Sequence, residues 1–266
     1  MIPLSLAHLS ELAVPPLALV DLAAEAGFTS IGLRMMAAAP GGIEYKLQTK
    51  VEQSALHHRC AKTGIAILYG EMIGLSRTTD MQACRAMIDA AAAIGATRIA
   101  VAGDDPDPAI TAARMAEICD IASPLGLAVD IEFMPFRATA SLAEAIEVVR
   151  RAARPNAHIL LDALHFFRSG SSLATLRAID PALLGTVQLC DAPATPPCDL
   201  ATEARTARLF PGEGGLDLRG FMAALPDGIP LGVELPIAGR FPTLTPIARA
   251  KLMVARTHAF LSASAK

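Results

Sequence analysis

Short apolar runs recur along the chain, each preceded by an alanine-rich stretch and a turn. The phrase appears as Ala23-Ala24-Glu25-Ala26-Gly27 before Ser30-Ile31-Gly32-Leu33, and as Ala61-Lys62-Thr63-Gly64 before Ile65-Ala66-Ile67-Leu68. It returns as Ala92-Ala93-Ile94-Gly95 before Arg98-Ile99-Ala100-Val101, and as Ser123-Pro124-Leu125-Gly126 before Ala128-Val129-Asp130-Ile131. Alanine favours helix, glycine supplies the left-handed cap that ends one, and a brief β-branched run reads as a buried strand. The glycines lie 31 to 37 residues apart, the length of one strand-plus-helix unit.

The second half keeps the rhythm with looser punctuation. Pro155-Asn156 precedes His158-Ile159-Leu160-Leu161, Asp180-Pro181 precedes the run around Val187, and Pro226-Asp227-Gly228 precedes Pro230-Leu231-Gly232-Val233. Strands are therefore expected at Leu4–Ala7, Ser30–Leu33, Ile65–Leu68, Arg98–Ala102, Ala128–Ile131, His158–Leu161, Thr186–Leu189 and Leu231–Glu234. Eight strands with helices between them, joined by right-handed crossovers, predict an α/β fold: a single (β/α)8 TIM barrel over residues 1–266. An open doubly wound sheet is the rival, weakened because no G-x-G-x-x-G follows the first strand. Two long connections, Ala192 to Leu216 and Met35 to Lys50 with its Pro40-Gly41-Gly42, are expected to shape the carboxyl face of the barrel.

Composition narrows the function. A chain of 266 residues with 53% hydrophobic content suits one large barrel core. The net charge of −3 gives no electrostatic reason for a nucleic-acid partner, and scarce aromatics without Trp argue against a base-stacking platform. The five cysteines have no zinc-type spacing and are odd in number, so they read as reduced thiols of a cytoplasmic protein. The start, Met1 to Leu6, lacks a basic segment and reads as a first strand rather than a signal peptide. The longest apolar stretch, Met87 to Gly103, is interrupted by Asp89 and Arg98, so no membrane span is expected.

Chemistry is concentrated at four strand ends. Glu132, Asp162, Gln188 and Glu234 sit where strands five to eight emerge. Adjacent strands lie about 4.8 Å apart, so their ends can converge on one ion. Any one polar strand end is more simply a solvated residue or a helix cap. Four on consecutive strands, three of them acidic, instead form an oxygen-rich set suited to Mg²⁺ or Mn²⁺. His165, three residues after Asp162, is expected to face the same cavity as a proton shuttle or a donor to substrate. Arg34, Arg137 and Arg168 follow strands two, five and six and are candidates for holding a substrate phosphate or carboxylate, with surface ion pairs as the plainer alternative. Glu71 is a candidate to bind a hydroxyl or orient His8. Asp104 and Asp105 suit either hydroxyl binding or a turn and N-cap, and Asp191 is expected to tether a loop or orient a ligand.

The segments Glu132-Phe133-Met134-Pro135, Leu161-Asp162-Ala163-Leu164-His165, Val187-Gln188-Leu189-Cys190-Asp191-Ala192-Pro193, Phe210-Pro211-Gly212-Glu213-Gly214 and Gly232-Val233-Glu234 carry a resemblance. The chain resembles the xylose-isomerase-like TIM-barrel superfamily, which includes sugar and sugar-phosphate isomerases, ketose epimerases, inosose dehydratases and 3-dehydroshikimate dehydratases. The resemblance is strongest from Ala128 to Leu235. It implies that Glu132, Asp162, Gln188 and Glu234 hold Mn²⁺, Mg²⁺ or Co²⁺, and that Glu132 and Glu234 act as bases beside a small-molecule substrate. Many members carry His where this chain has Gln188; glutamine there is closer to the dehydroshikimate-dehydratase-like members. An amide oxygen also biases the site toward hard ions and away from zinc.

A metal-dependent isomerase or epimerase acting on a small polyhydroxylated carbonyl compound is the leading expectation, with a dehydratase of the dehydroshikimate or inosose type second. An endonuclease IV-type nuclease ranks low, because six histidines mostly away from strand ends do not supply a multi-zinc cluster. A non-catalytic sugar-binding barrel is opposed by the presence of both Glu132 and Glu234. Barrels of this kind often assemble as dimers or tetramers.

Overall fold

The eight apolar runs form eight parallel strands that close on themselves. A computed structural model describes residues 2–39 and 41–264; Met1 and Pro40, which the sequence reading placed in the first strand and in the loop after the second, lie outside the described residues. The strands are β1 (Leu4–Leu6), β2 (Ser30–Arg34), β3 (Ala66–Leu75), β4 (Ala96–Gly103), β5 (Ala128–Glu132), β6 (Ala157–Asp162), β7 (Leu184–Leu189) and β8 (Leu231–Val233). Each pairs with the next, and β1 pairs with β8, so the sheet is a closed barrel rather than an open one. Helices α1 (Pro16–Ala26), α2 (Lys50–Thr63), α3 (Met81–Ala93), α4 (Pro108–Ala122) and α5 (Leu142–Ala152) wrap the first half. The second half carries α6 (Ala163–Arg168), α7 (Leu173–Ala178), α8 (Leu200–Thr206), α9 (Leu218–Met222) and α10 (Pro246–Ser264).

Local signals explain the helix ends. The punctuating glycines Gly27, Gly64, Gly95 and Gly126 all have φ between +73° and +96°, a conformation glycine adopts without steric cost. Reciprocal capping boxes, Thr49 with Glu52 and Ser141 with Glu144, start α2 and α5. Most strand ends shift by a residue or two, and two differences bear on the site. β3 runs on to Leu75, so Glu71 and Met72 lie inside a strand rather than after one. The connection from Ala192 to Leu216 contains α8, capped by Asp199, whose side chain accepts from the Thr202 N–H.

Side chains alternate across each strand. One set, such as Val129, Ile131, Ile159, Leu161, Val187 and Val233, packs outward in the main core with the helices. The other set fills the barrel in layers. At the bottom, Asp130 accepts from Arg98 Nε and Nη2 at 2.8 Å and from Thr186 Oγ1 at 3.0 Å. In the middle, Tyr69, Ala100 and Leu160 form a small apolar layer. At the top stand the polar strand ends. The bottom layer leaves no room beneath β7: a Cβ on Gly185 would collide with the Asp130 carboxylate and the Arg98 guanidinium. Gly185→Ala is expected to cost about 1–3 kcal/mol through this overpacking, read as a lower urea midpoint with an unchanged slope. A midpoint equal to wild type would show that the pair can move aside.

Candidate functional site

Register brings the polar strand ends together. Asp162 on β6 pairs with Gln188 on β7, and Gln188 pairs with Gly232 on β8, two residues before Glu234. Glu132 ends β5 opposite Leu160. All four side chains are buried. Asp162 also caps α6: its Oδ1 accepts from the His165 backbone N–H at 3.0 Å. That cap returns the His165 ring toward the strand ends, with Nε2 3.6 Å from Glu132 Oε1. One donor atom each from Glu132, Asp162 and His165 lie within 4.8 Å of one another. The imidazole therefore joins the acidic cluster in a metal-ligand arrangement, a part that the sequence reading did not give it.

The largest omission from the sequence reading is Arg208. Its guanidinium enters from the chain just beyond α8 and is 1% exposed. Nη1 lies 2.5 Å from Asp162 Oδ2, and Nη2 lies 2.7 Å from Glu234 Oε2. Nε donates to Ala204 O at 2.7 Å, and Nη1 also meets Cys190 Sγ at 3.2 Å. The clue was present in the carboxylates themselves. Three buried acids cannot remain charged without a counter-cation, and the connection after β7 supplies Arg205 and Arg208.

One guanidinium does not serve all three acids equally. Burial pushes Asp162 up, but Arg208 and the His165 N–H outweigh it and hold this carboxyl below its ordinary value. Glu234 is also buried, is helped by Arg208 and is opposed by Asp162 and Glu71, and rises to about 7. Glu132 is pushed well up by burial and by Glu234 and Asp162. Among the described residues, no hydrogen-bond donor reaches its carboxylate. Burial lowers His165 to about 4, with Arg208, Arg137 and Arg205 adding to the effect, so the ring is neutral at pH 7.

Two features fit a divalent ion. With all three acids ionised, three carboxylates against one guanidinium leave two negative charges uncompensated. Gln188 Oε1 is also buried with no hydrogen-bond partner, an unmet acceptor of the kind a hard cation satisfies. The cavity over these groups measures about 60 Å³ and is lined by Glu132, His165, Arg208 and Glu234 together with Arg34, Arg137, Arg205, Phe136 and Met134.

A model of the xylose isomerase-like TIM barrel family matches residues 20–257. The chain belongs to that family. It is 30% identical over 113 residues to an inosose isomerase of Bacillus subtilis, a match that covers 42% of this chain and 40% of that protein. It is likewise 30% identical over 118 residues to a 3-dehydroshikimate dehydratase of Pseudomonas aeruginosa, covering 44% of this chain and 18% of the other. The chain thus spans about two fifths or less of the length of these curated relatives. Among solved structures, the IolI protein with a binding zinc atom shares the fold at a TM-score of 0.82, with 20% identity over 99% of both chains.

Within this family barrel, the expected substrate residues separate into two groups. Arg34 and Arg137 line the cavity. Arg34 ends β2 beside Glu71, its register partner on β3, with Nη2 3.6 Å from the Glu71 carboxylate. Glu71 does not orient His8, contrary to expectation; the His8 ring accepts from Arg34 N and meets Val14 O. Arg137 is held by Asp104 and donates to Ala38 O at 3.2 Å, tying the loop after β2 to the loop after β5. Arg168 does not line the cavity: its guanidinium is engaged by Glu203 at 2.7 and 2.8 Å and by Pro193 O. A buried carboxylate on α8, invisible to strand-end reasoning, captured it.

The remaining candidates are structural. Asp105 pairs with Arg77 and Asp107 caps α4, so the acidic turn after β4 is built from ion pairs and caps. Asp191 accepts from the N–H groups of Gly212, Gly214 and Leu216, tethering the glycine-rich loop, and Glu213 anchors it to Arg240. The five cysteines are free, and burial pushes Cys190 up to about 12, far from a reactive thiolate. No described helix is long and apolar enough to cross a membrane.

Proposed function

We propose that this chain is a divalent-metal-dependent isomerase or epimerase acting on a small polyhydroxylated carbonyl compound. The observation that carries this reading is the convergence of Glu132, Asp162, Glu234 and the unpartnered Gln188 oxygen beneath one cavity at the barrel's carboxyl face. In it, Glu132, Asp162, Gln188 and Glu234 hold Mn²⁺, Mg²⁺ or Co²⁺, with His165 close enough to substitute or assist. Such an ion supplies Lewis acidity, which makes the C–H bond next to a carbonyl acidic. Glu132, raised and without a hydrogen-bond donor, takes that proton. Glu234, with its pKa near neutrality, holds or returns one. Neutral His165 donates an N–H to a substrate oxygen. Proton return to the opposite face yields an epimer, and return to the adjacent carbon yields an isomer.

The same abstraction followed by loss of a β-hydroxyl is a dehydration, and two observations favour that second reading. The resemblance of the Gln188 segment implies histidine there in many family members and glutamine in the dehydroshikimate-dehydratase-like ones. Arg34, Arg137 and Arg205 rim the cavity, and Arg205 has no carboxylate partner among the described residues, so an anionic group on the substrate would find donors there. A cavity of about 60 Å³ holds a few waters, far below the roughly 300–1,000 Å³ of ligand sites. Substrate entry therefore requires the loop held through Ala38, or α8, to move. The buried free thiols suit a cytoplasmic enzyme.

Proton NMR of the manganese-free, magnesium-loaded protein in D₂O tests the reading against inososes, ketoses and 3-dehydroshikimate. Deuterium entering the carbon beside the carbonyl is expected in at least one of them. A product isomeric with the substrate supports isomerisation, a product lighter by one water supports dehydration, and no exchange in any substrate argues against both. The ion must also compete with protons. At pH 6 Glu234 is mostly protonated, while at pH 8 it is ionised, so the Kd for Mn²⁺ is expected to tighten roughly tenfold between them. Calorimetry giving equal values would remove Glu234 from the ligand set.

A further inference from the structure

We infer that Tyr69, a residue of the barrel interior below the cavity, is a positioning residue that holds the Gln188 amide by its nitrogen and so leaves its oxygen free for a cation. This rests on the proposed role of Gln188 as a metal ligand.

An amide side chain has two unlike ends: an oxygen that can hold a cation and an NH₂ that repels one. A carboxylate ligand has no such wrong end. A glutamine ligand needs something to fix its sense, and Glu234, 3.5 Å from Nε2, makes a longer contact than Tyr69 does. Across the barrel from β7, the Tyr69 hydroxyl accepts a hydrogen bond from Gln188 Nε2 at 2.7 Å. With the nitrogen engaged, Oε1 is left buried and without a partner. Nε2 also donates to Glu234 Oε1 at 3.5 Å, so the reverse sense, with the hydroxyl donating to Oε1, would set that oxygen against the Glu234 carboxylate and put the NH₂ where the free acceptor now lies.

The tyrosine is itself held rigidly. It is 1% exposed and packs with Ala100 and Leu160 in the middle layer. Its ring also occupies the space that a side chain on Gly32 of β2 would need: a Cβ there would overlap the ring. Gly32 has no positive φ, so its value at this position is room rather than backbone freedom. The glycine admits the ring, the ring places the hydroxyl, and the hydroxyl sets the amide. Hydrogen bonds of this outer kind typically change metal affinity 10–100-fold when removed.

The test compares Mn²⁺ binding by calorimetry in wild type, Tyr69→Phe, Gln188→Glu and the double variant, with melting of each metal-free protein as the check on folding. Tyr69→Phe is expected to weaken Mn²⁺ about 10–100-fold in the wild-type background. In the Gln188→Glu background both ends of the side chain are oxygen, so the same change is expected to cost less than threefold. A Tyr69 that only supports the core would cost the same in both backgrounds, and that result overturns the inference, as does unchanged or tighter binding by the single variant. If packing around the ring dominates the melting data, Gly32→Ala supplies a second displacement of the hydroxyl and is expected to show the same background dependence. Wild-type protein that binds no Mn²⁺, Mg²⁺ or Co²⁺ would instead remove the metal reading on which the inference stands.

Discussion

Arg208→Met should destabilise the metal-free protein by about 3–5 kcal/mol at pH 8, the range for removing one partner of a buried ion pair. Methionine fills much of the same volume, so the loss reports charge rather than a cavity. The guanidinium serves Asp162 and Glu234 at once, and neither has solvent to fall back on. Without it, both acids would raise their pKa values in the folded state above those of the unfolded chain. The folded variant would then hold more protons than the unfolded one, so its stability is present at low pH and is lost as pH rises. Urea unfolding should therefore show a deficit that is large at pH 8 and smaller at pH 5. Saturating Mn²⁺ should recover part of it, because a bound ion restores positive charge where it was removed and binds only the folded state. A variant as stable as wild type at pH 8 would mean that the acids are not ionised there.

Glu132→Gln should have the opposite effect on stability and the largest effect on chemistry. The amide nearly matches the carboxylate in shape but cannot take a proton, and loss of a general base typically costs 10²–10⁴ in rate. Solvent deuterium exchange into a substrate should fall by that factor. Meanwhile, the metal-free protein should melt higher than wild type above neutral pH, since Glu132 is the acid most opposed by burial and by its neighbours Glu234 and Asp162. Functional sites are often strained in this way, with stability given up for reactivity. Glu234→Gln should reduce exchange comparably but gain less stability, because Glu234 is also a partner of Arg208. A Glu132→Gln protein that exchanges deuterium at the wild-type rate would assign the base elsewhere.

The barrel was legible in the sequence because its cause is periodic. Alanine-rich helices, capping glycines and short apolar runs repeat every 31 to 37 residues through the first half, and each repeat can satisfy its hydrogen bonds only by pairing with its neighbours. The strand-end acids were legible for the same reason: a carboxylate closing an apolar run is a local anomaly. What escaped was contact between distant segments. Arg208 lies in a connection with no strand rhythm, and only the folded chain brings it to Asp162 and Glu234. Arg168 looked as well placed as Arg137 by its distance from a strand, yet Glu203 on α8 takes it out of the cavity. Tyr69 reads as an ordinary core aromatic until its hydroxyl is seen opposite Gln188. Glu71 does not orient His8, because β3 continues through it and places it beside Arg34.

The proposed function requires Glu132, Asp162, Gln188 and Glu234 to share one divalent ion at the carboxyl face of the barrel. A crystal structure of the protein soaked in Mn²⁺, with anomalous diffraction to locate the ion, tests it directly. A single strong peak is expected, bonded to oxygens of these four side chains at about 2.0–2.3 Å, with the Gln188 nitrogen still on Tyr69. A peak elsewhere, or an undisturbed Arg208 bridge with no ion beside it at saturating Mn²⁺, would contradict it.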